Sequence, residues 1–316
     1  MSLRIWETDL NSEIPQSIYK YRVMSIRHLE ELREDFEVLD SQGTVSNNPV
    51  FRSYIKQQQP HKLPESFSGA KSIIVMAVYT PLMTASFHYQ GSIHEVMVPH
   101  YYDDGITEEH LKNTILSRII QNQQYRVENA KMFVLLKQLA VRSGLGKYGR
   151  NNLCYVDGFG SFLKLFAFFT DFVFEEDSWT ELEMMEQCTD CKVCLIQCPT
   201  GSISEDNSVI NVEKCLPLYN EVPGKFPTWI ESDAHNALMG CMKCQLLCPA
   251  NREVSKKTQK LDSISEKETK KILDECPDDE LIQTLSEKLR MFTPENADYF
   301  FPVISRNLRV LLLNQQ

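Results

Sequence analysis

Apolar residues recur at helical spacing between residues 16 and 38, through Ile26, Leu29, Leu32 and Phe36, and the spacing predicts a helix there. The run KSIIVMAVYTP (71–81) is apolar and β-branched. It is entered from SFSG and closed by Pro81, and it predicts a buried strand. Helical periodicity returns over 107–142, first at Leu111, Ile115 and Ile119, then at Met132, Leu135, Leu136 and Leu139. Gly144 and Gly146 end that run, as glycine does past a helix terminus. NLCYV and LFAFFTDFVF follow as candidate strands. After about residue 180 the periodicity fades, and the next seventy residues hold eight of the ten cysteines and five prolines. Such a stretch predicts a small domain organised by metal rather than by a wide core. Beyond Arg252 a charged connector leads into helical stretches that end in FPVISRNLRVLLLNQQ.

Composition narrows the setting. The hydrophobic share of 42% and charged share of 24% are those of a globular protein. FLKLFAFFTDFVF, the most apolar run, is thirteen residues long and carries Lys164 and Asp171, too short and too charged for a membrane span. MSLRIWETDLNSEIPQ lacks a basic-then-apolar leader, which predicts a cytoplasmic protein. There thiols stay reduced, and clustered cysteines bind metal rather than form disulfides. A formal charge of −10 argues against broad, charge-driven nucleic-acid binding. One local exception runs from Arg252 to Lys271, with seven basic residues against four acidic, and reads as a solvated helical face or a nucleic-acid contact.

The chemistry sits in two motifs. Cys188, Cys191, Cys194 and Cys198 stand in C-x2-C-x2-C-x3-C-P spacing, the bacterial ferredoxin run, whose fourth cysteine serves the other cluster of a pair. Cys241, Cys244, Cys248 and Pro249 repeat the tail of that pattern and lack one ligand; Cys215 is the only other cysteine between the patches. Counting assigns Cys188, Cys191, Cys194 and Cys248 to one [4Fe–4S] cluster and Cys198, Cys215, Cys241 and Cys244 to the other. Structural zinc is the competing reading, since C-x2-C pairs also suit tetrahedral Zn²⁺. Cys154 lies in an apolar stretch and reads as a small hydrophobe, and Cys276 as a spare surface residue. The expected fold is α+β: an N-terminal α/β cofactor-binding and substrate domain (1–180), a ferredoxin-like double-cluster domain (181–252) and a short helical C-terminal segment (253–316).

Electron-transfer clusters alone do not explain some 180 residues upstream. LPESFSGAKSIIVMAVYTP, SGLGKYGRNNLCY, GSFLKLFAFFTD, CPTGSI, KCLPLYNE and MGCMKCQLLCPAN together resemble the cobalamin-dependent epoxyqueuosine reductase family and, more distantly, the corrinoid reductive dehalogenases. The similarity runs from about residue 60 to residue 252, and ISRNLRVLLLN is similar to a helix of the family's C-terminal repeat. The resemblance implies an iron–sulfur oxidoreductase of queuosine tRNA modification. It also implies a cobamide, held between the α/β and ferredoxin-like domains and reduced through the clusters by an external flavodoxin- or ferredoxin-type donor. In that frame Gly144, Gly146 and Gly149 let the backbone approach the cofactor, and Lys147 and Arg150 pair with its polar groups or with substrate. Otherwise the glycines form a helix cap and tight turn, and the two cations are solvated loop charges. DAHNALMG (233–240) has the wrong spacing for cobalt ligation by histidine and leaves His235 as a surface or loop residue.

The chain departs from the family where a proton-donating aspartate is expected. That stretch reads RVENAKMF, with Ala130 at the aligned position and Glu128 and Asn129 beside it. Lys147-Tyr148 also replaces the family's tryptophan and apolar residue, so the substrate is epoxyqueuosine in tRNA or a different one. On a helix, Glu128 would be turned by about 200° from position 130. PHYYDDG (99–105) supplies the rival donors Tyr101 and Tyr102, with Asp103 next to them. The alternative function is an electron-transfer protein of ferredoxin type, or a corrinoid-activating redox partner without substrate chemistry of its own.

Overall fold

The computed structural model describes residues 18–57, 61–102, 105–205 and 209–313. Expectations that rest on the N-terminal leader region, on Asp103 or on the last three residues lie outside the described residues. In chain order the elements begin with β1 (Tyr19–Ser25), α1 (Leu29–Ser41), α2 (Pro49–Gln57), β2 (Ser72–Tyr79), β3 (Leu82–Tyr89) and β4 (Ser92–Val98). Next come α3 (Glu108–Thr114), β5 (Val127–Asn129), α4 (Leu136–Arg142), β6 (Lys147–Tyr148), β7 (Cys154–Tyr155) and β8 (Leu163–Thr170). The remainder is α5 (Val193–Ile196), α6 (Pro217–Asn220), α7 (Lys243–Leu246), β9 (Thr258–Lys260), α8 (Glu266–Leu273), α9 (Asp279–Leu289) and α10 (Ala297–Leu313). Contacts divide the chain into two compact units, Met1–Tyr79 with Gly105–Asp190 and Thr80–Asp104 with Cys191–Gln316.

The first unit is built on an antiparallel sheet in the order β1-β2-β8-β5. β2 is apolar throughout because both of its faces are covered. Ile73, Val75 and Ala77 pack with Leu29 and Leu32 of α1 and Leu139 and Val141 of α4. Ile74, Met76 and Val78 pack with Leu111 of α3 and with Ile115. Alternate side chains of a strand point to opposite faces, so a strand covered twice shows a continuous run in place of alternation. Both candidate strands after Gly146 form, as β7 and β8.

Two helix expectations are corrected. The helix predicted over 16–38 begins only at Leu29; upstream, YKYRVMS is the edge strand β1, paired along its length with β2. Tyr19, Tyr21 and Val23 alternate there, and the pairing partner outweighs the helical spacing that begins at Ile26. The long helix over 107–142 is three pieces. A π-turn at Ile115–Ile119 follows α3, Gln121 turns into the left-handed region with φ 58°, and β5 joins the sheet before α4 starts. Glycine does end the last piece: Gly144, one residue past the C-cap Ser143, has φ 68°.

In the second unit β3 pairs antiparallel with β4 and parallel with β9, a strand within the stretch 252–271 whose charges suggested a solvated helical face. Phe87 and Met83 of β3 pack into a core with Ile272 of α8, Leu281 and Leu285 of α9, and Ile304 and Leu308 of α10. Ser265 and Glu268 close a capping box at the start of α8. The C-terminal segment is helical as expected, and it carries the helical half of this core.

Candidate metal centre

The two cysteine motifs adopt the same local fold. Each places a one-turn helix around its middle cysteine, α5 around Cys194 and α7 around Cys244, and the two turns pack on each other. Each turn then runs to the last cysteine of its motif, Cys198 or Cys248, followed by proline. Proline has no N–H, so it begins the next turn without leaving a donor unsatisfied.

Donors are aimed at the sulfurs. Ser202 N lies 3.3 Å from Cys198 Sγ, Asn236 Nδ2 lies 3.2 Å from Cys241 Sγ, and Arg150 N lies 3.5 Å from Cys188 Sγ. Asn236 also accepts from Met242 N at 2.8 Å, which fixes its amide orientation. Cys215 follows the turn Val212–Lys214, and its thiol is pushed up to about 12. Burial is the main cause, and the neighbouring Cys241 and then Cys198 add to it. The Cys241 thiol is raised as well, first by burial and further by Cys198, against the hydrogen bond from Asn236. The structure therefore brings Cys198, Cys215 and Cys241 together, three of the four thiols that counting places on one cluster. Part-buried thiols that disfavour one another's ionisation are stabilised as thiolates by a positive centre. Among the described residues, no three His, Cys, Asp or Glu side chains gather as donors to a single metal ion. A four-iron cube spreads its thiolates over separate irons and does not require that convergence.

Cys154 is buried in β7 with its thiol pushed up to about 12 by burial, and Cys276 is exposed, as expected of residues outside the metal sites.

The glycine-rich turn faces the chain itself. A side chain on Gly146 would lie 2.6 Å from Cys154 Sγ and 2.7 Å from Tyr155 O, and one on Gly149 would lie 2.5 Å from the Tyr155 ring. At Gly144 the nearest atom is Thr180 Cγ2 at 3.0 Å. Lys147 pairs with Glu183 at 2.6 Å, and the Arg150 guanidinium donates to the carbonyl oxygens of Cys188 and Thr189. Gly146 and Gly149 thus let the turn close on β7, and Lys147 and Arg150 are paired within the chain.

The candidate proton donors are found in different settings. Glu128 lies on β5, so the helical offset that separated it from position 130 does not apply. On extended backbone, residues two apart share a face. Its carboxylate is held by Arg126, whose guanidinium also lies 4.3 Å from the Phe67 ring. Tyr101 donates to Glu221 Oε1 at 3.3 Å, and Tyr102 hydrogen-bonds the same carboxyl. Burial pushes Glu221 up to about 7, with the two tyrosines opposing, and burial raises Tyr101 well above its ordinary value. Gly240 makes the arrangement possible: with φ 66°, it leaves open the position where a side chain would meet the Tyr101 hydroxyl at 1.9 Å. Asn220 Nδ2 holds Gly240 O at 2.6 Å, and the buried Asn307 of α10 donates to both Asn220 O and Leu238 O.

Sequence reasoning passed over Glu221, the last residue of KCLPLYNE, because nothing in its neighbourhood marks it as buried against two tyrosines sixscore residues earlier. His235 is a correction. It lies in a loop, as expected, but is buried at 6% exposure against the Phe226 ring, and burial pushes it down to about 4.

Comparison with known proteins gives the following. Residues 187–251 match the family model of the 4Fe-4S double cluster binding domain. Over 246 residues the chain is 27% identical to epoxyqueuosine reductase of Staphylococcus aureus, covering 76% of this chain and 62% of the relative. It is 36% identical over 121 residues to the enzyme of Aliivibrio fischeri, covering 38% and 31%. The chain thus spans less than two thirds of the length of these curated relatives. The structure of epoxyqueuosine reductase from Streptococcus thermophilus superposes with a TM-score of 0.62 at 19% identity, covering 94% of this chain and 78% of that one, and shares its fold. The resemblance read from the motifs is borne out, and the chain carries a double-cluster domain with the α+β fold of these reductases. Among the described residues, no helix is long and apolar enough to cross a membrane.

Proposed function

We propose that the protein is a cytoplasmic iron–sulfur oxidoreductase that acts, like the reductases it is similar to, on epoxyqueuosine in tRNA or a closely related oxygenated substrate. The observation that carries this reading is the paired fold of the two cysteine motifs, with Cys215 brought to Cys198 and Cys241. It suits one [4Fe–4S] cluster on Cys188, Cys191, Cys194 and Cys248, and a second on Cys198, Cys215, Cys241 and Cys244. In this reading 181–252 relays electrons, 1–180 holds the substrate side and 253–316 supports the relay domain.

Each cluster passes one electron at a time from an external donor of flavodoxin or ferredoxin type. Removing the oxygen of an epoxide to leave an alkene takes two electrons and two protons and releases water, so the site needs an acid as well as a relay. Tyr101 and Tyr102, sharing Glu221, are the proposed source of that proton, because they form a half-buried hydrogen-bonded group while Glu128 is tied to Arg126. A related epoxyqueuosine reductase has been crystallised with an epoxyqueuosine-modified tRNA stem loop, and tRNA is the proposed partner here on that likeness. Exposed Lys256, Lys257 and Lys260 offer phosphate contacts on an otherwise acidic chain. A cobamide enters on the resemblance alone. No step is assigned to it.

The test is reduction of epoxyqueuosine-tRNA by the anaerobic protein with a strong reductant, with and without hydroxocobalamin. Turnover by the wild type, lost on Tyr101→Phe or Tyr102→Phe and kept on Glu128→Gln, is expected. Absence of turnover with both clusters present and a corrinoid that washes off on gel filtration would leave the electron carrier as the account.

A further inference from the structure

We infer that Arg150 is the positioning residue for the cluster held through Cys188, and that the glycine-rich turn serves as its seat; this rests on the two-cluster reading. The turn and the entry to the first cysteine motif are one local structure. Tyr148 N donates to Glu183 O at 2.8 Å and Met185 N to Tyr148 O at 2.9 Å, so Met184 makes an isolated parallel bridge to Tyr148 of β6. The 3-10 turn Glu186–Cys188 then lifts the chain onto Arg150. Arg150 is 9% exposed and grips Cys188 twice: its backbone N–H reaches Sγ at 3.5 Å, and its guanidinium bonds the Cys188 carbonyl and, at 3.4 Å, that of Thr189. Gly149, immediately before it, allows this because the Tyr155 ring and Asn151 fill the space a side chain would take. Asn151 Nδ2 in turn holds the Tyr155 hydroxyl at 3.0 Å.

Reduction, [4Fe–4S]²⁺ + e⁻ → [4Fe–4S]⁺, takes its electron from the external donor and adds negative charge to the cluster. N–H donors at the sulfur and a guanidinium on the ligand's own carbonyl stabilise the reduced form and raise the potential. Arg150 would therefore tune one cluster and leave the other alone.

The experiment is a potentiometric EPR titration of the full chain, purified anaerobically, as wild type, Arg150→Lys and Arg150→Met, with iron counted in each. In Arg150→Met the midpoint of one cluster should fall so that its reduced fraction relative to oxidised drops at least tenfold at fixed potential, 59 mV for a one-electron couple, with the other midpoint unchanged. Arg150→Lys, which keeps the charge and loses the fork, should fall between. Selective loss of one cluster in Arg150→Met with an intermediate shift in Arg150→Lys also supports the seat. Unshifted midpoints in fully loaded variants, equal shifts of both clusters, or loss of both together overturn it. A wild type without two clusters would instead overturn the reading on which it rests.

Discussion

In the first unit, β2 and β8 bury side chains on both faces of a sheet, with Ile73, Ile74, Met76, Phe168 and Phe169 fully enclosed. The cysteine-bearing stretch has a small local cluster of Leu216, Ile230 and Ala234, with Tyr219 and Cys241 packed beside it, and lends Leu238 and Met239 to the second unit's core. Its turns are short, and its asparagines donate to sulfur and to backbone carbonyls, as Asn236 does to Cys241 Sγ and Asn220 to Gly240 O. One region is stabilised by apolar burial and the other is arranged around thiolates. The difference predicts which perturbation each will feel.

Removal of iron should therefore separate them most. Chelation under oxidising conditions is expected to open residues 186–251 to protease while the β1–β2–β8 sheet stays protected, because the free energy of metal binding is folding free energy where a core is thin. Hydrogen exchange followed by mass spectrometry would read both regions at once. Equal protection of the stripped cysteine region would show that it holds itself without metal, and the contrast would be lost.

The converse change is Phe168→Ala in β8. Deleting a fully buried phenylalanine costs about 3–5 kcal/mol, so urea unfolding of the sheet should shift by that amount while iron per chain is unchanged. A parallel loss of iron would mean that the two regions are not separable in this way.

A smaller effect concerns acid. His61 is buried in the first unit at 3% exposure, and burial, with Arg33 adding, pushes it down to about 4 from 6.5. Between those values the unfolded chain binds the proton more tightly, so stability is fully present above about pH 6.5 and is lost as pH falls toward 4. The whole loss is about 3 kcal/mol. His61→Asn, a residue tolerant of the φ of 65° found there, should flatten the acid limb of urea midpoints measured between pH 7 and 5. An unchanged slope would place the acid sensitivity elsewhere.

The same contrast explains what could be read from the sequence. β2 was legible because a strand covered on both faces leaves an unbroken apolar run. The cysteine motifs were legible because cluster geometry fixes ligand spacing locally. β1 and β5 were not: each is an edge strand whose identity comes from a partner, β2 or β8, distant in sequence. The glycines at 146 and 149 were visible as a motif, but their reason, the space taken by Cys154 and Tyr155, appears only once β6 and β7 pair. Glu221 was hidden for the same cause, since its burial depends on Tyr101 and Gly240 arriving from other parts of the second unit.

The central claim is that the two motifs, completed by Cys215, hold two four-iron clusters. Iron, acid-labile sulfide and zinc per chain, measured on anaerobically purified wild type and Cys215→Ala, test it most directly. The expected result is about eight irons and as many sulfides in the wild type, falling toward about four in the variant, with negligible zinc throughout. Stoichiometric zinc in the wild type, or about eight irons retained by Cys215→Ala, would contradict it.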